Sequence, residues 1–254
     1  ALTGGIAWVH VLGAGIDGFP LEAVGDRTLT CSRGAGAPAI AEFVLASMLA
    51  FEKQLPESWI TAPPAEWGTT GLGGLEGRTL GLVGLGAIGT EVARRALAFD
   101  MQVVAVRRTE RPSPVAGVEI RADLPSLLAV SDHVVVAAPA TPRTAHLFDD
   151  TVLARVKPGL HFVNVARGSL VDQGALVRAL DDGRIARASL DVVEPEPLPV
   201  GDPLYTHPRV RLTPHISWSS PRTLARTTQL FVDNLARYRA GRPLLGTVDR
   251  TAGY

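Results

Sequence analysis

Cys31 is the only cysteine among 254 residues, so no disulfide can close within the chain. That fits a reducing compartment, and the thiol reads as a small buried apolar residue. No apolar run approaches the roughly 18 residues that a membrane span requires. The N-terminus has neither the basic start nor the long apolar core of a signal peptide. Net charge is also missing: 25 Lys and Arg balance 25 Asp and Glu. Nothing in the charge draws the chain toward nucleic acid or a membrane surface. There is no repeat of solenoid period and no low-complexity stretch. What is left is a globular protein, expected in the cytoplasm, of a length that fits one large domain or two small ones.

What the sequence does have is alternation. Strands are predicted over 6–12 and 27–31. A helix is predicted over 38–52, where Ala39, Ile40, Phe43, Val44, Ser47, Met48 and Phe51 recur at three-and-four spacing. Residues 54–77, rich in Pro, Gly, Thr and Trp, predict an irregular connection. Then come strand 79–83, helix 87–99, strand 102–106, a loop with Pro112 and Pro114, and a short strand at 118–120. Helix 124–129, strand 133–138, helix 149–154, strand 160–165, helix 172–181, strand 187–193, strand 209–212 and helix 221–239 follow. Val134-Val135-Val136-Ala137-Ala138 is apolar at every position, as a parallel sheet covered on both faces requires. The expected fold class is α/β, a doubly wound parallel sheet.

Between strand 79–83 and helix 87–99 stand Gly84, Gly86 and Gly89, spaced G-x-G-x-x-G. In that context the spacing is a dinucleotide-binding fingerprint. Gly84 permits the tight turn, Gly86 lets backbone approach a pyrophosphate, and Gly89 lets the helix pack closely on the strand. The helix N-terminus adds free N–H groups and a positive dipole end. A glycine-rich turn without a ligand is the bland alternative.

Ligands of open parallel sheets bind beyond the carboxyl ends of the strands. At those ends lie Arg167 after strand 160–165, Asp191, Glu194 and Glu196 at the end of strand 187–193, and His215 after strand 209–212. These types suit hydride transfer to or from a 2-oxo or 2-hydroxy acid. His215 would donate a proton to the developing alkoxide. Glu196 beside it would favour the imidazolium and fix the ring. Arg167 offers a rigid fork of donors for a substrate carboxylate and carbonyl. Taken singly, each has a plain reading: a surface arginine in a turn, a solvated loop acid, a structural histidine. His133 and His161, inside or at the start of buried strands, read as structural.

Together these stretches resemble the D-isomer-specific 2-hydroxyacid dehydrogenases, the group that includes glyoxylate/hydroxypyruvate reductases. GLVGLGAIG (81–89), AAPATPRT (137–144), VNVARGSLVD (163–172), ASLDVVEPEPLP (188–199) and TPHIS (213–217) carry the resemblance, in the family's order and spacing. It implies a Rossmann cofactor domain over 37–217 and a smaller flavodoxin-like substrate domain from 1–36 plus 218–254, with a hinge between them. It implies that Arg167 binds substrate, His215 is general acid and base, and Glu196 pairs with His215. It places backbone at Ala14 and Gly15, in the GAGID turn, on the substrate carboxylate. Asp191 would contact the nicotinamide carboxamide, and Ala87, Ile88, Pro139, Val165, Ala166 and Ser217 would line the cofactor. No metal is implied. A homodimer is, with Trp59 and Trp67 near the dimer contact; ordinary core or interface aromatics is the other reading of those two. Glu196 stands where formate dehydrogenase has Gln.

Two departures from the family matter. NAD users place an acid after the second strand to hold the ribose 2′-OH. Here Arg107, Arg108 and Thr109 follow strand 102–106, and two guanidiniums and a hydroxyl suit a 2′-phosphate. NADPH is therefore expected in preference to NADH, with a solvated basic loop as the alternative. The second departure is at the N-terminus. Family members begin with several βα units before the GAGID turn, so the substrate domain is expected to be incomplete, and Ala1 in place of Met fits that. Two other functions use the same features: a nucleotide-sensing co-repressor, and a phosphite dehydrogenase.

Overall fold

The computed structural model describes residues 5–109 and 111–250; the extreme ends of the expected substrate domain lie outside them. Seven strands form one wholly parallel sheet: β3 (Thr79–Val83), β4 (Gln102–Val106), β5 (Val118–Ile120), β6 (His133–Val136), β7 (Leu160–Asn164), β8 (Ile185–Leu190) and β9 (Val210–Leu212). Their order is β5-β4-β3-β6-β7-β8-β9, so the winding reverses beside β3. That reversal opens a crevice at the carboxyl end of β3, where ligands of such sheets bind.

The apolar runs divide by strand periodicity between two cores. Val134, Val136, Leu160 and Phe162 face one side with α4 (Leu124–Leu128), α5 (Asp150–Leu153) and α6 (Gln173–Asp181). Leu80, Leu82, Val135 and Val163 face the other, with α2 (Ala37–Glu52) and α3 (Ala87–Leu97). Burying both faces of every central strand is what makes β6 apolar throughout. Among the described residues no helix is long and apolar enough to cross a membrane.

A second, two-stranded parallel sheet pairs β1 (Trp8–Val11) with β2 (Thr28–Cys31). Its core is small: Ile16, Val24, Leu29, Cys31 and Val248. The C-terminal segment returns to it. Trp8 stacks on Phe231 and Tyr238 of α7 (Pro221–Arg239) at 5.6 Å, and Thr247 bridges to Thr30.

Most predicted elements stand within a residue or two of their expected places. The strand expected over 133–138 stops at Val136. The one expected over 187–193 is shifted to Ile185–Leu190, so Asp191 lies one residue beyond it. Asp191 still donates its N–H to Asn164 O at 3.0 Å, but its carboxylate is then drawn into the 213–217 loop. A single helical turn, α1 (Leu21–Val24), was not anticipated, because four residues are too few to show a period. Trp59 and Trp67 are 71% and 77% exposed, which excludes the core reading of both.

His133 and His161 are fully buried, and they form a chain. His133 Nε2 meets Glu52 Oε1 at 3.1 Å, His133 Nδ1 meets His161 Nδ1 at 3.1 Å, and His161 Nε2 meets Ser189 Oγ at 2.9 Å. With Glu52 accepting, one arrangement satisfies all four ring nitrogens: Ser189 donates to His161, His161 to His133, and His133 to Glu52. Burial pushes His161 well below its ordinary pKa, with the neighbouring His133 and Arg187 acting in the same direction.

Candidate active site

Because all seven strands run the same way, their carboxyl ends share one edge. Gly84–Gly86, Arg107–Thr109, Ala137–Pro139, Val165–Arg167, Asp191–Glu196 and Thr213–Ser217 all leave the sheet there. The three glycines differ in what they do. Gly84 has φ +106°, and a side chain there would press on the Ala137 carbonyl oxygen at 2.7 Å. A Cβ on Gly89 would collide with the Gly84 carbonyl oxygen. At Gly86 an added Cβ would meet nothing within 4 Å, so the space over this glycine is open.

Helices α4, α5, α6 and α7 are each capped by an Asp or Ser side chain; α3, which starts at Gly86, has none. The amides of its first turn, including those of Ala87, Ile88 and Gly89, have no intrahelical acceptor. Open space in front of uncapped amides at a positive dipole end fits a pyrophosphate. Beyond β4, Arg107 donates Nη1 to Pro112 O at 3.2 Å, which holds the basic loop in shape, while Arg108 and Thr109 are exposed. On the other flank Pro139 is exposed and its carbonyl accepts from Thr144 Oγ1 at 2.8 Å. Val165, Ala166 and Ser217 are buried behind the edge.

His215 Nδ1 and Glu196 Oε2 are 2.8 Å apart, each side chain a little over one-third exposed. A carboxylate only accepts, so Nδ1 carries the hydrogen and Nε2 is left without a partner among the described residues. Glu196 is itself held, because its Oε1 accepts from Val193 N at 3.2 Å. His215 sits in the left-handed region at φ +55°, a conformation costing roughly 1–2 kcal/mol for a residue with a Cβ. Its backbone is clamped there. The N–H donates to Asp191 O at 2.9 Å, and the carbonyl accepts from Trp218 Nε1 at 2.9 Å.

Asp191 is 1% exposed, and both its oxygens are engaged. Oδ1 accepts from Thr213 Oγ1 at 2.6 Å and from Ile216 N at 2.8 Å, and Oδ2 accepts from Ser217 N at 2.8 Å. Its carboxylate thus ties together the loop that carries His215.

Arg167 is supported in a similar way. Asn164, 1% exposed, accepts from Ala166 N at 3.0 Å and donates to Arg167 O at 2.9 Å. Arg167 Nη1 donates to Ala166 O at 2.7 Å, and its Nε to Asp17 Oδ2 at 2.5 Å. A Cβ on Gly15 would collide with Arg167 Nη2, so the GAGID turn after β1 lies directly against this guanidinium. A Cβ on Gly168 would strike the backbone of Val193 and Glu194. Close approach at that glycine is what brings the loop of Arg167 against the loop of Glu196.

The sequence alone gives no role to Asp17, Asn164, Thr213 or Gly168, although Gly168 and Thr213 follow strands that end at this edge. All four lie inside or beside the quoted motifs, but nothing in their spacing states whom they touch.

An α/β sheet wound in this order, with a glycine turn at its reversal, defines a dinucleotide-binding fold, and here a His–Glu pair stands on the same edge. The chain belongs to the D-isomer specific 2-hydroxyacid dehydrogenase family: the family's NAD binding domain matches residues 45–217. It is 32% identical over 246 residues to D-3-phosphoglycerate dehydrogenase of Bacillus subtilis, covering 94% of this chain and 46% of that one. It is 42% identical over 168 residues to glyoxylate reductase of Korarchaeum cryptofilum, covering 65% of this chain and 50% of that one. The chain thus spans half, or less, of the length of these two relatives. Among solved structures, the NADPH-dependent glyoxylate/hydroxypyruvate reductase of Sinorhizobium meliloti, in complex with NADP and sulfate, superposes with a TM-score of 0.87 at 29% identity, covering 98% of this chain and 80% of that one.

Proposed function

We propose that this protein transfers a hydride between NADPH and a small 2-oxo acid such as glyoxylate or hydroxypyruvate, interconverting it with the D-2-hydroxy acid. The observation that carries the reading is the Glu196–His215 pair at 2.8 Å, on the same strand edge as the open glycine turn and Arg167. In this reading residues 37–217 form the cofactor domain, with 1–36 and 218–254 forming the substrate domain. The nicotinamide supplies the hydride when bound. Arg167 and backbone at Ala14 and Gly15 hold the substrate carboxylate. His215 Nε2 gives the proton to the developing alkoxide in reduction and takes it back in oxidation. Glu196 keeps the ring in the tautomer and orientation this needs. Asp191 braces the His215 loop beside the nicotinamide. The preference for NADPH rests on Arg107, Arg108 and Thr109 standing where an acid would bind a ribose 2′-OH. Exposed Trp59 and Trp67 support a homodimer through the 54–77 segment.

Steady-state kinetics on a panel of 2-oxo acids with each reduced cofactor tests this. Consumption of NADPH with glyoxylate or hydroxypyruvate, at a higher kcat/KM than with NADH, is expected. A higher value with NADH removes the cofactor assignment. No turnover of either cofactor across the panel removes the enzymatic reading and favours a nucleotide-sensing role.

A further inference from the structure

The ion pair between Asp17 and Arg167 joins residues far apart in the chain. It links the turn after β1 in the small sheet to the loop after β7 in the large one. Both side chains are about one-third exposed, so as a stabilising pair it counts for little. Its geometry is more telling. Nε of Arg167 is taken by Asp17 and Nη1 by the Ala166 carbonyl, while Nη2 lies against the Cα of Gly15. Two of the three nitrogens are therefore pinned, and the third borders the backbone of the GAGID turn. An arginine held only by its own stem keeps most of its rotamer freedom, and ordering it must offset that entropy when substrate binds. Asp17 removes this freedom beforehand. It holds the Nε–H on the edge that Nε shares with Nη2, which leaves the end of the fork, where Nη2 stands beside Nη1, to the substrate.

We propose that Asp17 is a positioning residue: it fixes the roll of the Arg167 guanidinium so that Nη2 and the turn at Ala14 and Gly15 present one prearranged carboxylate site. The same contact ties the two sheets together at the substrate, so a carboxylate bound there is gripped from both. The inference rests on the function proposed above. An acid in this role also explains the glycine at 15, since any side chain there would push Nη2 away from the turn.

The experiment compares wild type, Asp17→Ala and Asp17→Asn with glyoxylate and NADPH, and titrates oxamate, an isostere of a 2-oxo acid, into each protein with NADPH bound. Losing one charge-assisted hydrogen bond to Arg167 is expected to raise the substrate KM and the oxamate Kd of Asp17→Ala by about 10- to 100-fold. Its NADPH Kd should stay within about twofold and its Tm nearly unchanged, as for an exposed pair. Asp17→Asn keeps an acceptor at Nε and should recover most of that loss. A wild-type KM and oxamate Kd in Asp17→Ala would overturn the proposal. So would losses shared equally by NADPH affinity and Tm, or an asparagine variant no better than alanine. If wild type turns over no 2-oxo acid and does not bind oxamate, the proposed function falls and takes this inference with it. If wild type is active and Asp17→Ala matches it, this inference falls alone.

Discussion

The two edges of the large sheet each carry a histidine hydrogen-bonded to a glutamate, and they differ in almost everything else. At the amino edge, Glu52 and His133 are buried, and both ring nitrogens of His133 and of His161 have partners in the chain that runs to Ser189. The cavity of about 480 Å³ beside it is lined by groups already paired with one another, among them Arg78, Asp132 and Lys157. At the carboxyl edge, Glu196 and His215 are partly open and Nε2 has no partner among the described residues. A closed network specifies packing, because each unmet bond in a buried site is costly. An open one keeps capacity for something that arrives later. The pair alone therefore does not mark chemistry; a pair with one atom left over, at the edge where ligands of parallel sheets bind, does.

The comparison breaks most sharply if His215 is removed. His215→Ala should lower turnover of a 2-oxo acid by roughly 10²–10⁴, the usual contribution of a positioned proton donor. Cofactor affinity should barely change, and the Tm should stay close to wild type. Turnover within a few-fold of wild type would remove His215 from the mechanism.

Removing the acid at the other edge should do the reverse. Glu52→Ala leaves the His133 Nε2–H buried without its acceptor, which costs about 1–3 kcal/mol. For a chain of this size that lowers the Tm by several degrees. KM and kcat measured well below the transition should be unchanged. Loss of activity without loss of stability would mean that the amino edge serves catalysis after all.

Much of this contrast was legible in the sequence, and the part that was not has a common cause. The strand–helix alternation, the glycine turn and the order of Arg167, Glu196 and His215 are local or depend only on which end of a parallel strand a residue follows. The unbroken apolar run at 134–136 announced burial on both faces, and the sheet supplies it. Partners across the fold were not legible. Nothing near Asp17 states that it meets Arg167, and nothing near Gly168 states that Val193 and Glu194 come within contact of it. The histidines at 133 and 161 could be placed inside buried strands, but their pairing comes from the register in which His133 stands opposite His161. Asp191 was legible as a residue at a strand end. Its saturation by Thr213, Ile216 and Ser217 depends on how the next strand's loop folds back.

The smallest effect, and the one that sharpens the comparison, is in the pH dependence of stability. Burial holds His161 well below its ordinary value of 6.5, whereas an unfolded histidine titrates near that value. Below about pH 6.5 the unfolded chain therefore binds a proton that the folded chain refuses, and stability rises with pH wherever the unfolded state binds more protons. The stabilisation is complete above that pH and is lost as pH falls, by at most about 1.4 kcal/mol per pH unit for one such group. His10 is also lowered by burial and adds in the same direction. Asp132 acts elsewhere: burial pushes it up, but the Lys157 ammonium and the Thr79 N–H prevail and hold it below its ordinary 3.8. Its stabilisation is full above that pH and lost only in more acid solution, so the window from pH 5 to 7 reads histidines. Urea unfolding across that window should give a positive slope in wild type. His161→Asn should flatten the slope, while His215→Ala should leave His161's share of it in place. An unchanged slope in His161→Asn would mean that the buried ring takes up its proton in the folded state, and the amino edge would then not be closed.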